Sequence, residues 1–313
     1  MMSQQNIIFA GSSLFSLHPL EAIMELGFKS VSVLTQPKKK QGRGLEHKVN
    51  PLMGTALDMG LEIFSYESLK ERSVEQDIIG LSPNVLLTVS YGQTIPKKIL
   101  NLFSHDVLNI HPSLLPLWRG ASPVQSAILN GDKTTGVSIM RMTPALDEGP
   151  VFISKRLQID KRDNSENLTE KLSLLAANIL TTSLGKILEG TLKAKDQNHD
   201  KATISKKITK QDGKISWQKR AKSIDQQIRA YNPWPVAFTY IDGRYVRIWE
   251  AEVSTDTNTH NEPGVVLDCD DNGIVVSTGK GNLLIKTIQL EGKKAISGGD
   301  FGKGFNILNK TLN

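Results

Sequence analysis

Three side chains in this sequence have the types and spacing for acyl transfer: Asn109, His111 and Asp147. Asn109 and His111 sit two apart in the apolar run Val107-Leu108-Asn109-Ile110-His111. In a strand alternate side chains share a face, so the amide and the imidazole point the same way. Pro112 and Pro116 end that strand and stiffen the next turn. An amide N–H and a protonated imidazole suit an oxyanion developing at a carbonyl, and histidine also shuttles protons near neutral pH. Asp147 lies in Leu146-Asp147-Glu148-Gly149, a turn that can return its carboxylate across the sheet to orient the ring. Each residue alone has an ordinary explanation as a turn-former or structural side chain. Together, with no obvious covalent nucleophile beside them, they read as direct transfer of an acyl group between two bound substrates. The division of proton duties between His111 and Asp147 stays open.

Those residues need a scaffold, and the first half of the chain supplies its pattern. Short apolar runs at 6–10, 30–34, 61–65, 85–89 and 107–111 read as strands. Helical patterns at 15–26, 51–59, 68–79 and 96–103 separate them. Strand and helix alternating this way predict an α/β, Rossmann-like, mostly parallel sheet. Runs at 135–140 and 151–157 read as a later hairpin, and 166–188 as a long closing helix. Composition then shifts, and 190–207 reads as an extended linker rich in Lys, Thr, Asp and Asn. Beyond it, short β-type runs at 236–241, 244–250, 264–267, 274–277 and 283–288 suggest a small barrel, with one helix at 220–230.

Composition narrows the function classes. The chain has 313 residues, 39% hydrophobic and 22% charged, enough for two globular domains. Long apolar runs are missing, so no membrane span is expected. The N-terminal residues lack the pattern of a secretory signal, which makes the cytoplasm the expected compartment. Cys269 is the single cysteine, reads as part of a turn, and is taken as a bystander thiol. The sequence has no Gly-x-Gly-x-x-Gly after its first strand, no P-loop, no Gly-x-Ser-x-Gly and no paired histidines, so neither nicotinamide, ATP nor metal is expected. The net charge of +6 is concentrated. Residues 38–48 hold Lys38, Lys39, Lys40, Arg43 and Lys48 against Glu46; residues 193–222 hold ten Lys and Arg, Lys206 and Lys207 among them, against three Asp. Two basic stretches on an otherwise acidic chain suit a polyanion. A solubilising loop and a solvated linker would look the same in composition.

A family resemblance joins these pieces. Asn109-x-His111-Pro112-Ser113-Leu114-Leu115-Pro116 followed by Asp147 resembles the formyltransferases that use 10-formyltetrahydrofolate. Ile7-Ile8-Phe9-Ala10-Gly11, Thr35-Gln36-Pro37, Gly42-Arg43-Gly44, Tyr91-Gly92 and Trp118-Arg119-Gly120-Ala121-Ser122-Pro123 extend the match. Arg229-Ala230-Tyr231-Asn232-Pro233-Trp234-Pro235 places it in the branch that acts on methionyl-tRNA, over nearly the whole length. The resemblance implies a Rossmann-like catalytic domain at 1–189, a basic linker at 190–208, and an OB-like barrel that binds tRNA at 209–313. It implies Asn109, His111 and Asp147 as catalytic residues. Ser113, Leu114, Leu115 and Pro116, with Tyr91 and Gly92, would hold the folate. Lys38, Lys39, Lys40, Arg43, Lys206 and Lys207 would contact the tRNA, with Arg43 at the tip of an inserted loop. The implied reaction moves the formyl group of 10-formyltetrahydrofolate, without a metal, to the α-amino group of methionine on initiator tRNA. A monomer is expected. Ser12-Ser13, Pro112, Glu148, Pro150 and Lys39-Lys40 depart from the family's usual pattern and leave the three central residues intact. Two other readings are a formyltransferase acting on an amino sugar nucleotide or purine-pathway amine, and a binding protein without catalysis. The basic loop and second domain argue against the first, the intact Asn-x-His and Asp147 against the second.

Overall fold

The computed structural model of the chain describes residues 2–41, 46–255 and 262–313. They cluster into two compact units. The first comprises Met1–Pro123, Thr134–Gln158 and Thr169–Ser205; the second comprises Val124–Lys133, Ile159–Leu168 and Lys206–Asn313.

The strands of the first unit are, in chain order, β1 (Asn6–Gly11), β2 (Ser30–Thr35), β3 (Lys39–Gln41), β4 (Glu46–Lys48), β5 (Glu62–Ser65), β6 (Val85–Val89), β7 (Leu108–His111), β8 (Arg119–Gly120), β9 (Thr134–Arg141), β10 (Val151–Gln158) and β11 (Ile204–Ser205). Seven of them form one sheet in the order β10-β9-β7-β6-β1-β2-β5. β5, β2, β1, β6 and β7 run parallel, while β9 and β10 are antiparallel additions at one side. The central strands are buried on both faces, which is why β1 and β6 are near-continuous apolar runs. The chain winds from β1 outward through β2 to β5, then crosses to β6 on the other side. That reversal creates a crevice at the carboxyl ends of β1 and β6. Helices α1 (Leu17–Glu25), α2 (Pro51–Asp58), α3 (Arg72–Gly80) and α4 (Lys97–Leu100) connect the strands. Asn50 caps α2 by accepting from the Met53 N–H at 3.0 Å, and Pro51 occupies its first turn.

The second unit draws on α5 (Pro123–Asn130) and the start of α6 (Ser165–Leu188), whose remainder belongs to the first. After α7 (Ala221–Ala230) come β12 (Ala237–Ile241), β13 (Arg244–Val253), β14 (Val266–Asp270), β15 (Gly273–Ser277), β16 (Asn282–Leu290) and β17 (Ile296–Ser297). The antiparallel order β12-β13-β16-β15-β14 leaves β12 and β14 as open edges. The last residues of the chain cover both. Asn313 exchanges two 2.9 Å backbone bonds with Tyr240, Leu312 donates to Gly264 at 2.8 Å, and Val266 donates to Lys310 at 2.9 Å. Gly264 is required there, since a Cβ would sit 2.5 Å from the Leu312 carbonyl oxygen. The result is the small OB-like barrel, filled by Ile248, Val276, Ile285 and Phe301.

Sheet boundaries agree with the sequence reading to within a few residues. α3 and α4 begin later and are shorter than expected, and α5 and α8 (Gly298–Gly304) were not anticipated. In α8 glycine packs where side chains cannot: a Cβ on Gly298 would lie 2.4 Å from the Ile285 carbonyl oxygen. Cys269 corrects the turn assignment. It is on β14, because the turn starts at Asp270, whose carboxylate accepts from the Asn272 N–H at 2.8 Å. Its thiol lies under Gly302, and burial pushes its pKa up. The stretch 190–207, read from sequence as an extended linker, contains a 3-10 helix at His199–Lys201, and it is no free tether. Lys195 bridges Val151, and Ile204–Ser205 pairs in parallel with Arg119–Gly120.

One ion-pair cluster ties α1 to α6. His18 Nδ1 lies 2.8 Å from Glu21 and Nε2 lies 2.6 Å from Glu170. The bond to Glu170, chiefly, raises the His18 pKa above 6.5. A raised folded-state value adds stability that is complete below the unfolded pKa and is lost as pH rises through the folded one. His18→Gln should therefore lower the melting temperature at about pH 6 and leave it unchanged at about pH 9. Thermal unfolding across that range measures this.

Candidate active site

β7 delivers Asn109 and His111 to the carboxyl end of the sheet, and a turn after β9 returns Asp147 to them. Asn109 is registered against Thr88 on β6 and Met140 on β9. The Thr88 hydroxyl donates to Asn109 Oδ1 at 2.8 Å. That bond turns Nδ2 outward, where it faces Asp147 Oδ1 at 3.4 Å. The opposite amide rotamer would set two acceptors against each other. His111 is 4% exposed. Its Nε2 is 2.9 Å from the Trp118 carbonyl oxygen, which can only accept, so Nε2 carries a hydrogen. Nδ1 is then the nitrogen that turns to Asp147 Oδ2, at 3.6 Å. The same Oδ2 accepts from the Gly120 N–H at 2.8 Å. Asp147 therefore stands between amide and imidazole, in a left-handed backbone conformation with φ of 53°. The amide contact and the ring contact are long, which leaves them free to tighten on a reacting carbonyl.

The other residues singled out from the sequence fall into three places. Ser113 is fully buried and its hydroxyl donates to the Leu117 carbonyl, so the side chain is not open to a ligand. Leu114, Leu115 and Pro116 are half-buried, and the Leu115 N–H donates to Ser138 Oγ at 3.1 Å. Gly136 on β9 leaves the room Leu114 fills, since a Cβ there would come 2.6 Å from Leu114 Cδ2. Tyr91 is 3% exposed, and burial pushes its phenol well above the usual tyrosine range. Its ring is core, and its backbone oxygen accepts from Gln36 Nε2 at 2.7 Å. Gly92, at φ of 80°, lets Gln36 approach: a Cβ there would lie 2.4 Å from Nε2. Lys38, Lys206 and Lys207 are exposed, the last two directly after β11. Arg43 and the side chains of Lys39 and Lys40 lie outside the described residues.

Two clefts open beside the crevice, one of about 500 Å³ lined by Ser12, Gln36, Pro37, Lys48 and Asn50, and one of about 460 Å³ lined by Gln36, Leu69, Lys70, Gly92 and Gln93. Neither is lined by Asn109, His111 or Asp147. Among the described residues no group of three His, Cys, Asp or Glu could hold a metal. No helix among them is long and apolar enough to cross a membrane.

Comparison with known proteins identifies the family. Residues 5–184 match the formyl transferase model, and residues 207–306 match the formyl transferase C-terminal domain. The chain belongs to the formyl transferase family. A methionyl-tRNA formyltransferase of Coxiella burnetii is 40% identical over 295 residues, covering 94% of each chain. One from Hydrogenovibrio crunogenus is 37% identical over 312 residues, covering 100% of both. Among solved structures, the fold resembles HypX from Aquifex aeolicus in complex with tetrahydrofolic acid, with a TM-score of 0.66 and 15% identity over 96% of this chain and 47% of that one. It also resembles the sugar 3N-formyl transferase WlaRD, with a TM-score of 0.67 and 20% identity over 94% of this chain and all of that one.

Thr88 had no motif in the sequence; only the register of β6 on β7 shows its role. Thr88→Val keeps the shape and removes the donor. It should lower formyl-transfer kcat by about tenfold or more through a misdirected Asn109, with little change in melting temperature. Steady-state kinetics beside thermal unfolding measures both.

Proposed function

We propose that this chain transfers the formyl group of 10-formyltetrahydrofolate to the α-amino group of methionine on initiator tRNA. The observation that carries the reading is the Asn109–Asp147–His111 arrangement, in a chain 40% identical to a methionyl-tRNA formyltransferase over 94% of its length. The folate supplies an activated formyl group. Asn109 Nδ2 donates to the oxygen of that group as negative charge develops on it. Asp147 receives the proton that the attacking amine gives up. His111 Nδ1 shares that proton and returns one to the departing folate nitrogen, since Nε2 is committed to Trp118. In balance, one carbon–nitrogen bond forms as another breaks, and the amine's proton ends on the nitrogen left behind.

Around these groups, Leu114, Leu115 and Pro116 form an apolar wall for the folate, and the backbone at Ser113, Tyr91 and Gly92 borders it. Residues 1–189 act as the catalytic domain, 190–208 as a basic linker and 209–313 as the tRNA-binding domain. Lys38, Lys39, Lys40, Arg43, Lys206 and Lys207 meet tRNA phosphates, which makes tRNA use steeply dependent on salt. The enzyme works as a monomer in the cytoplasm.

Transfer of label from 10-formyltetrahydrofolate to charged initiator tRNA, run against an amino sugar nucleotide, tests the substrate. Asn109→Ala should cut kcat by about two to three decades, with the folate KM near wild type; turnover close to wild type would remove Asn109 from this role. Lys206→Ala with Lys207→Ala should raise the tRNA KM, leave the folate KM alone, and flatten the salt slope by about 1 per cation removed.

A further inference from the structure

Asp147 is held from outside its own loop. Ala145, Leu146 and Glu148 around it are exposed, and its φ of 53° is a left-handed conformation open to aspartate, which contacts from elsewhere hold in place here. Those contacts come from the stretch that sequence reads as a linker. Gln197 Nε2 donates to the Asp147 carbonyl at 2.8 Å and to the Gly149 carbonyl at 2.7 Å. Both amide hydrogens are thereby spent on the loop. Gln197 Oε1 in turn accepts from Arg119 Nε at 3.1 Å and Nη2 at 2.9 Å. Arg119 is 3% exposed, and its remaining nitrogen lies 3.5 Å from Glu148 Oε1. A buried guanidinium is costly unless its donors are used, and here they fix one amide in one orientation. Arg119 is itself pinned by backbone. Its N–H donates to Thr203 at 2.9 Å, and its carbonyl accepts from Ser205 Oγ at 3.1 Å. The next residue, Gly120, supplies the N–H that binds the Asp147 carboxylate. A Cβ on Gly120 would lie 2.5 Å from the Ser205 carbonyl oxygen, so β11 packs against β8 without a gap.

We propose that Gln197, oriented by Arg119, is a positioning residue that sets the place of the Asp147 carboxylate for the transfer step. Gln197 acts through the backbone of the carboxylate's loop, and Gly120, beside Arg119, holds the carboxylate. The proposal rests on Asp147 acting in formyl transfer.

Gln197→Glu separates this role from mere packing. A carboxylate keeps the contact with Arg119 but cannot donate to the two loop carbonyls. In the full-length enzyme kcat should fall by about 100-fold, while the KM values for folate and tRNA stay within about twofold. The same change in an Asp147→Asn background should cost less than about twofold, because a unit already disabled loses little more. Amide exchange of the 144–149 segment should quicken in Gln197→Glu with the rest of the chain unchanged, a readout independent of the substrate. Arg119→Lys, which keeps the charge and cannot span both bonds, gives the same pattern if Gln197→Glu fails to fold. Equal losses in both backgrounds, near-wild-type kcat, or unchanged exchange at 144–149 would overturn the clamp. Asp147→Asn with wild-type turnover would overturn it together with the assigned role of Asp147. Wild-type protein that formylates no tRNA would refute the substrate reading alone, since the exchange measurement still decides the clamp.

Discussion

A carboxylate set between an amide at 3.4 Å and an imidazole nitrogen at 3.6 Å is the arrangement the rest of this structure serves. Such a trio is hard to hold. Each group prefers water, and withdrawing them from water is costly unless other partners are supplied. The fold answers with neighbours that are themselves immobile. Thr88 and the Trp118 carbonyl lock the orientation of amide and ring from the sheet side. The Gly120 N–H binds the carboxylate from the β8 side. Asn109 Nδ2 then faces Asp147 Oδ1 and His111 Nδ1 faces Oδ2, so amide and ring meet on one carboxylate. Preorganisation of this kind lets donors meet developing charge without rearranging at the moment of reaction.

Much of this was legible in the chain. Asn109 and His111 share a face because Leu108, Ile110 and their neighbours make a strand, and the β period needs no tertiary information. The parallel sheet followed from apolar runs buried on both faces, as in β1 and β6. Local signals were weaker where partners are remote. Thr88 acts through the lateral order of strands, and strand order leaves no periodic mark in sequence. α8 holds four glycines in seven residues and looks like a loop until the carbonyls of Ile285 and Asp270 are seen against it. Ser113 shows the converse. Its place in the Ser-Leu-Leu-Pro string suggests a ligand contact, yet its hydroxyl is spent on the turn that shapes the string. Motif membership says nothing of which atoms are free, and geometry shows that this hydroxyl is not.

The stretch from Lys195 to Ser205 carries the largest difference between sequence and structure. Its composition is that of a tether, and a tether is what polar, aperiodic residues usually make. Its backbone instead completes hydrogen bonds that β8 and the start of β10 would otherwise leave open, through Thr203, Ser205 and Lys195. Polar residues are needed there for the same reason they mislead: Gln197 is buried, and an apolar side chain would leave two loop carbonyls and a guanidinium unsatisfied. Low hydrophobicity in this segment reflects dense hydrogen bonding.

That segment also resolves a conflict of requirements at the Asp147 loop. The loop is open, since Leu146 is 66% exposed and Glu148 is exposed beside it, as the proposed reaction with two large substrates requires. It must also be fixed, because displacement of about 1 Å at a reacting group can cost about 100-fold in rate. A loop stabilised by its own side chains cannot meet both demands, because packing those side chains would close the mouth. Holding it by its backbone from a separate segment does, since the carbonyls of Asp147 and Gly149 accept from Gln197 while the neighbouring side chains remain in solvent. The same segment passes through a 3-10 turn at His199–Lys201 into β11, which ends at Ser205, and the exposed Lys206 and Lys207 come next. One continuous run of chain therefore holds the backbone of the Asp147 loop through Gln197 and, nine residues later, reaches the exposed Lys206.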